Sequence, residues 1–260
     1  MTLRYDITCA AALATAALIL PAGLTAQDDE RPLVDRLLEA NEWRELGPVN
    51  FGGRIIDIAV DPNDRFTFYA ASATGGLWKT TNNGTTFSQV FDVPGVFSIG
   101  DIAVAPSDGD VLYVGTGEAN NQRSSYWGNG VHKSTNGGKT WKHVGLDGTD
   151  HIGRIVVHPS DPNVVFVAAL GALYSSNEQR GVYRSKDGGE NWEAVKQIDA
   201  EVGFVDVAID PHDPDVILAA SYDRRRRAWD FRDEGPGSAI WRSSAQAPVT
   251  CGAAIDVPLL

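Results

Sequence analysis

One eight-residue pattern, written three times, constrains this chain more than anything else in it. The copies are Thr80-Thr81-Asn82-Asn83-Gly84-Thr85-Thr86-Phe87, Ser134-Thr135-Asn136-Gly137-Gly138-Lys139-Thr140-Trp141 and Ser185-Lys186-Asp187-Gly188-Gly189-Glu190-Asn191-Trp192. Each reads Ser/Thr, any, Asp/Asn, any, Gly, any, Thr/Asn, aromatic. Asp or Asn followed two residues later by Gly is turn chemistry: the side chain bonds the backbone ahead of it, and Gly takes the positive φ. The Ser or Thr closes one strand and the aromatic opens the next. The unit is therefore a β-hairpin, and its repetition predicts a repeat architecture.

The text around the hairpins recurs roughly every 50 residues, a period suited to four-stranded repeats. Each block opens with Gly and an apolar strand, beginning at Gly53, Gly100, Gly153 and Gly203. A proline turn follows at Pro62, Pro106, Pro159 and Pro211. A second apolar strand comes next, in turn Phe66 to Ala71, Val111 to Gly115, Val164 to Ala169 and Val216 to Ala220. The third runs into the hairpin, over Gly76 to Thr80, Gly130 to Ser134, Gly181 to Ser185 and Ser238 to Ser243. The aromatic starts the fourth. Repeated units of four antiparallel strands are the grammar of a β-propeller. The expected fold is all-β, an incomplete β-propeller with three full blades and part of a fourth.

The fourth block loses the pattern. Ile240-Trp241-Arg242-Ser243 enters the hairpin, but Ser244-Ala245-Gln246-Ala247-Pro248 has no Asp, Gly or aromatic. Residues 244–260 read as an aberrant or truncated tail, and the chain as the N-terminal piece of a larger propeller. The other reading is a divergent strand that closes a small ring. If the ring is incomplete, apolar residues such as Ile55, Val207 and Ile209 face outward on the end blades, and the remaining blades of a parent propeller are partners.

Residues 1–26 have the form of a signal peptide: Arg4, an apolar run from Cys9 to Leu20, and Leu24-Thr25-Ala26 before Gln27. The run is short for a membrane span, so no span is expected in the mature chain. Residues 27–42 read as an N-terminal arm with a short helical pattern, and 43–243 as the blades. The localisation implied is export, to the periplasm, the cell surface or the medium. The formal charge is −12, which disfavours nucleic acid or an anionic membrane as a general partner. With only Cys9 and Cys251, no disulfide framework is expected. The five histidines show no metal-ligand spacing, so no metal or cofactor is expected.

The three hairpins resemble the Asp-box, or bacterial neuraminidase repeat. In that resemblance Thr80, Asn82, Gly84 and Phe87, then Ser134, Asn136, Gly138 and Trp141, then Ser185, Asp187, Gly189 and Trp192 are structural turn residues. The chain is most similar to secreted bacterial proteins with sortilin-like N-terminal propellers, often labelled glycosyl hydrolases. The likeness is carried by Gly52-Gly53-Arg54, Gly75-Gly76-Leu77-Trp78-Lys79-Thr80, Gly115 to Asn120, His151 to Pro159 and Arg224 to Trp229. Xyloglucanases resemble the stretch Ala70 to Gly76, and the resemblance puts their catalytic Asp at Ala73 of this chain.

Candidate binding residues lie on the long loops between second and third strands, because long loops on a rigid frame concentrate binding groups. Those loops span Glu118 to Asn129, Leu170 to Arg180 and Ser221 to Gly237. They supply Glu118, Asn120, Asn121, Arg123, Trp127, Glu178, Arg180, Arg225, Arg226 and Trp229. Arg54, Asp101 and Arg154, at the starts of first strands, are placed on the same face. The plainer reading of Arg54 and Arg154 is that they pair with carboxylates between blades. The Arg224–Arg227 run is a solvated loop or, more sharply, an anion clamp helped by Trp229. No pair of catalytic carboxyls is legible. The functional expectation is a secreted propeller that binds a peptide, protein or glycan without turnover. The alternative is a glycoside hydrolase of the sialidase or xyloglucanase type, which needs two placed carboxyls or an equivalent nucleophile.

Overall fold

The computed structural model describes residues 53–96, 98–120 and 125–243. The expected signal peptide (1–26) and N-terminal arm (27–42), with Asn121, Arg123 and the expected tail at 244–260, lie outside the described residues.

The described chain is built from antiparallel sheets, with one 3-10 turn at Asp147–Thr149. Blade 1 comprises β1 (Ile55–Val60), β2 (Phe68–Ser72), β3 (Gly76–Thr80) and β4 (Ser88–Phe91). Blade 2 comprises β5 (Ile99–Ala105), β6 (Asp108–Thr116), β7 (Val131–Ser134) and β8 (Lys142–His143). Blade 3 comprises β9 (Ile152–Val157), β10 (Val165–Ala169), β11 (Gly181–Ser185) and β12 (Glu193–Lys196). In each, the strands pair in chain order. Blade 4 has three described strands, β13 (Val202–Ile209), β14 (Ile217–Asp223) and β17 (Ala239–Arg242). A two-stranded ribbon, β15 (Arg225–Arg226) with β16 (Phe231–Arg232), rises from its long loop. These sheets are blades of a partial β-propeller.

Apolar side chains alternate along each strand, so every blade buries one set of residues on each neighbour. Leu112 and Val114 of β6 pack toward blade 1 with Tyr69, Ala71 and Leu77. Val111 and Tyr113 of the same strand pack toward blade 3 with Val165, Val167 and Tyr183. A third cluster joins Phe166, Ala168 and Val182 to Phe204, Val207 and Ala219 across blades 3 and 4. Val207 therefore lies inside the blade 3–4 core, with Ile209 packed against the same cluster, so neither takes the outward place expected of it. The exposed apolar groups on the strands of the end blades include Ile55, Ile58 and Val60 on blade 1, and Leu218 and Ile240 on blade 4.

The eight-residue hairpins have the local geometry their sequence dictates. In blade 3 the Ser185 hydroxyl accepts from Gly189 N (2.8 Å), and Asp187 Oδ1 accepts from Asn191 N (2.9 Å). Ser134 with Asn136 and Thr80 with Asn82 make the same bonds. Two adjacent positive-φ residues are required: Gly188 and Gly189, Gly137 and Gly138, and in blade 1 Asn83 and Gly84. Asn is one of the few side chains that enters this region readily.

The aromatics do more than open a strand. The Trp141 indole N–H donates to Val90 O (2.6 Å) in blade 1, and that of Trp192 to Val144 O (2.7 Å) in blade 2. Each repeat thus ties itself to the blade before it. Phe87 has no described preceding blade; it stands edge-on to Phe68 at 5.8 Å and is 44% exposed. The proline turns sit beside the hairpins of their own blades: Gly137 N donates to Asp110 O and Gly188 N to Asn163 O. Both sets of short turns therefore share one face, leaving the long loops the other.

Candidate functional site

The first strands meet in register at the axis. Counting back five residues from the proline of each block selects Asp57, Asp101, Arg154 and Asp206. In the second strands they oppose Ala71, Gly115, Ala168 and Ala220. A register shift precedes each of them, at Ile56, Gly100, Gly153 and Val205. Such bulges re-aim the next side chain. The crowding there explains two of the glycines. A Cβ on Gly100 would stand 2.0 Å from Ile152 O, and one on Gly153 2.3 Å from Val205 O. Gly53 and Gly203, read from the sequence as equivalents of Gly100 and Gly153, occupy other positions, because the register is set by the bulge and not by the first glycine of the block.

Arg154 occupies the centre. Its guanidinium reaches Asp101 at 3.1 Å, Asp206 at 3.2 Å and Asp57 at 3.8 Å. Asp101 is buried and also accepts from Ile155 N (2.6 Å). Burial pushes the Asp101 carboxyl well above its usual range; Arg154 pulls it down, and the nearby Asp57 raises it further. Three carboxylates from three blades converge on one arginine, so the cluster pins the blades together.

A second pair lies beside it. Arg54 binds Glu118 through Nη2 and through Nε at 3.1 Å. Glu118 is fully buried at the start of the long loop of blade 2, and its other carboxylate oxygen has no partner. Its backbone N–H is held by Ser98 Oγ and Tyr126 O, and its carbonyl by His151 Nδ1 (2.8 Å). Burial, with Arg224 next, lowers His151 to about 4, so the ring is neutral at pH 7. Ala73, where the xyloglucanase resemblance expects an Asp, is buried, and its N–H donates to Arg54 O (2.9 Å).

The loop residues divide into two groups. Arg180 is enclosed and donates to the carbonyls of Leu170, Ala172 and Ser175, so it shapes its own loop. The Arg224–Arg227 run is neither one solvated stretch nor one clamp. Arg224 is buried and donates to Ala119 O (2.7 Å). Arg225 pairs with Glu201 at 2.9 Å, and Arg226 lies 5.1 Å over the Phe231 ring. Arg227 N closes the ribbon on Asp230 O. The run disperses because alternate residues of a ribbon point to opposite sides. Asn120 and Glu178 remain exposed. So do the aromatics: Trp127 is 73% and Trp229 83% exposed, with Tyr126 and Tyr174 also open.

Asp57 and Asp206 escaped the reading of the sequence, although their spacing from the proline would have found them. In chemical terms the gathered carboxyls are committed to arginines. Asp101 and Glu118 are closed off, so neither is presented to a substrate as one of the two carboxyls that hydrolysis requires. Among the described residues no group of three or more His, Cys, Asp or Glu is placed to hold a metal ion. No described helix is long and apolar enough to cross a membrane.

The fold places these residues in the class of β-propeller proteins, and the solved structures it resembles belong to that class. An ancestral GH74 enzyme superposes with a TM-score of 0.58, at 22% identity, covering 74% of this chain and 25% of that one. The GH74 xyloglucanase from Xanthomonas campestris gives 0.51 at 17% identity, covering 77% and 37%. Among curated proteins, the xyloglucanase Xgh74A of Acetivibrio thermocellus is 25% identical over 233 residues, spanning 72% of this chain and 24% of that protein. A xyloglucanase of Hypocrea jecorina is 26% identical over 190 residues, or 63% and 22%. The chain thus spans about a quarter of the length of the curated relatives it matches. No protein-family model matches it.

Proposed function

We propose that these blades are the glycan-binding part of an exported propeller of glycoside-hydrolase type, with a β-glucan such as xyloglucan as ligand. The observation that carries this reading is the pair of open indoles, Trp127 and Trp229, on the long-loop face. Open aromatic rings offer flat apolar surface to the C–H faces of sugar rings, while exposed Asn120 and Glu178 offer hydrogen bonds at the same end. The likeness to proteins named as xyloglucanases and the signal-like leader support the same reading. In it the described blades contribute binding. A carboxyl pair for cleavage would come from residues outside 53–243, since Ala73 cannot act as an acid or base and Asp101 and Glu118 are enclosed.

Affinity gel electrophoresis tests it. The 260-residue chain should be retarded in gels containing xyloglucan or a mixed-linkage β-glucan, and Trp127→Ala with Trp229→Ala should restore free mobility. Mobility unaffected by every neutral polysaccharide would overturn the glycan assignment. It would favour the second reading, a peptide- or protein-binding propeller, for which the same long-loop face is available.

A further inference from the structure

The three junctions between described blades are built from equivalent residues, but only the first two hold the indole of a hairpin tryptophan, Trp141 and Trp192. Between blades 1 and 2, Trp141 enters a cluster that includes Tyr69, Leu77, Val90 and Leu112. Between blades 2 and 3, Trp192 enters the corresponding cluster of Tyr113, Val131, Val144 and Val165. Strand register carries this set onto Phe166, Val182, Val195 and Ile217 at the third junction. There the same four residues, with Ala219 and Trp241, line an almost wholly apolar groove. The position equivalent to Trp192 is Thr250, and those equivalent to Asp187 and Gly189 are Ala245 and Ala247. The sequence after Ser243 therefore supplies neither the turn nor the aromatic.

Other clasps fail at the same place. Tyr69 Oη donates to Gly137 O and Tyr113 Oη to Pro162 O, each reaching the next blade. Phe166, at the equivalent position, has no hydroxyl. Among the described residues the edge is unpaired as well: β17 pairs with β14, and no described strand pairs with its other side, whereas β3, β7 and β11 each carry an outer strand. An open strand edge beside an apolar groove is the geometry of strand addition, with main-chain bonds giving affinity and a pocket giving specificity.

We infer that this groove and the β17 edge together receive a β-strand supplied from outside residues 53–243, whose tryptophan fills the groove and donates its indole N–H to Val195 O. The occupant follows from the molecule itself, because Val90 O and Val144 O accept such bonds at the two equivalent junctions. Lys196 closes the mouth: its ammonium lies 4.0 Å over the Trp241 ring and swings away on entry.

The probe is a peptide with the sequence of residues 185–196 of this chain, which carries the box turn, Trp192 and an outer strand. The dye-labelled peptide is titrated into the full 260-residue protein by fluorescence anisotropy, beside a version in which Trp192 is replaced by Ala. The expected result is saturable binding, at least tenfold weaker for the Ala peptide, with slowed hydrogen exchange at the amides of 239–242 on addition of the Trp peptide. Because the decisive substitution is in the peptide, no folding defect of the protein can imitate the result. Absence of binding, or equal binding of both peptides, overturns the inference. Self-association of the protein that protects 239–242 and resists competition by the peptide overturns it too, and assigns the edge to a second copy.

Discussion

Replacing Trp192 separates the two ways in which the aromatic could stabilise the fold. Its indole is half-buried against Val144, Val165 and Tyr183 of the blade 2–3 core, and its N–H reaches Val144 O at 2.7 Å. A half-buried indole keeps roughly 120 Å² of apolar surface from water, worth about 3 kcal/mol at 25 cal/mol per Å². The hydrogen bond adds about 1 kcal/mol. Trp192→Ala should therefore lose about 4 kcal/mol, in the range of other aromatic truncations, and Trp192→Phe about 1–1.5 kcal/mol. Phe87 is an internal control: it holds the same place in its hairpin but meets only its own blade among the described residues, so Phe87→Ala should lose about 1 kcal/mol. Urea unfolding followed by circular dichroism measures all three, with the slope checked for constancy. If Phe87→Ala costs as much as Trp192→Ala, the aromatic acts within its own hairpin and the interblade clasp is wrong. A Phe variant as unstable as the Ala variant would show that the bond, not the packing, dominates.

Acid should weaken the fold through His132, which burial lowers to about 4, and over the same window through His151. Its pKa falls from 6.5 to about 4 on folding, so between these values the unfolded chain binds a proton that the folded chain refuses, and stability drops as pH falls through that window. The loss is up to about 3 kcal/mol, and His151→Gln should flatten this part of the stability–pH curve; an unchanged slope would refute the assignment. Arg54→Ala should destabilise by about 2 kcal/mol by stranding the buried Glu118 carboxylate, a figure reduced because Arg54 is half exposed. The double variant with Glu118→Gln should regain most of that loss in the same urea assay, and no recovery would remove the pair from the account.

The repeat was legible in the sequence because its determinants are local. Ser185, Asp187 and Gly189 bond within one hairpin, so their spacing alone dictates the turn, and the unbroken apolar run of strands such as Val165–Ala169 follows from burial on both faces. The loss of the pattern after Ser243 was legible for the same reason. What the sequence could not supply was every relation between blades. The convergence of Asp57, Asp101 and Asp206 on Arg154 joins residues up to 149 positions apart; their common spacing from the proline marks the position, but only the packing of the blades brings the four side chains together. The arginine run looked like one feature and became four, because Arg224 turns into the core while its neighbours enter a ribbon. Trp141 and Trp192 were legible as aromatics that begin a strand; that each donates to a carbonyl of the preceding blade was decided only when the blades packed. Turn chemistry is fixed by neighbours in the chain, whereas the partner of a buried charge or an indole is fixed by whichever blade is folded against it.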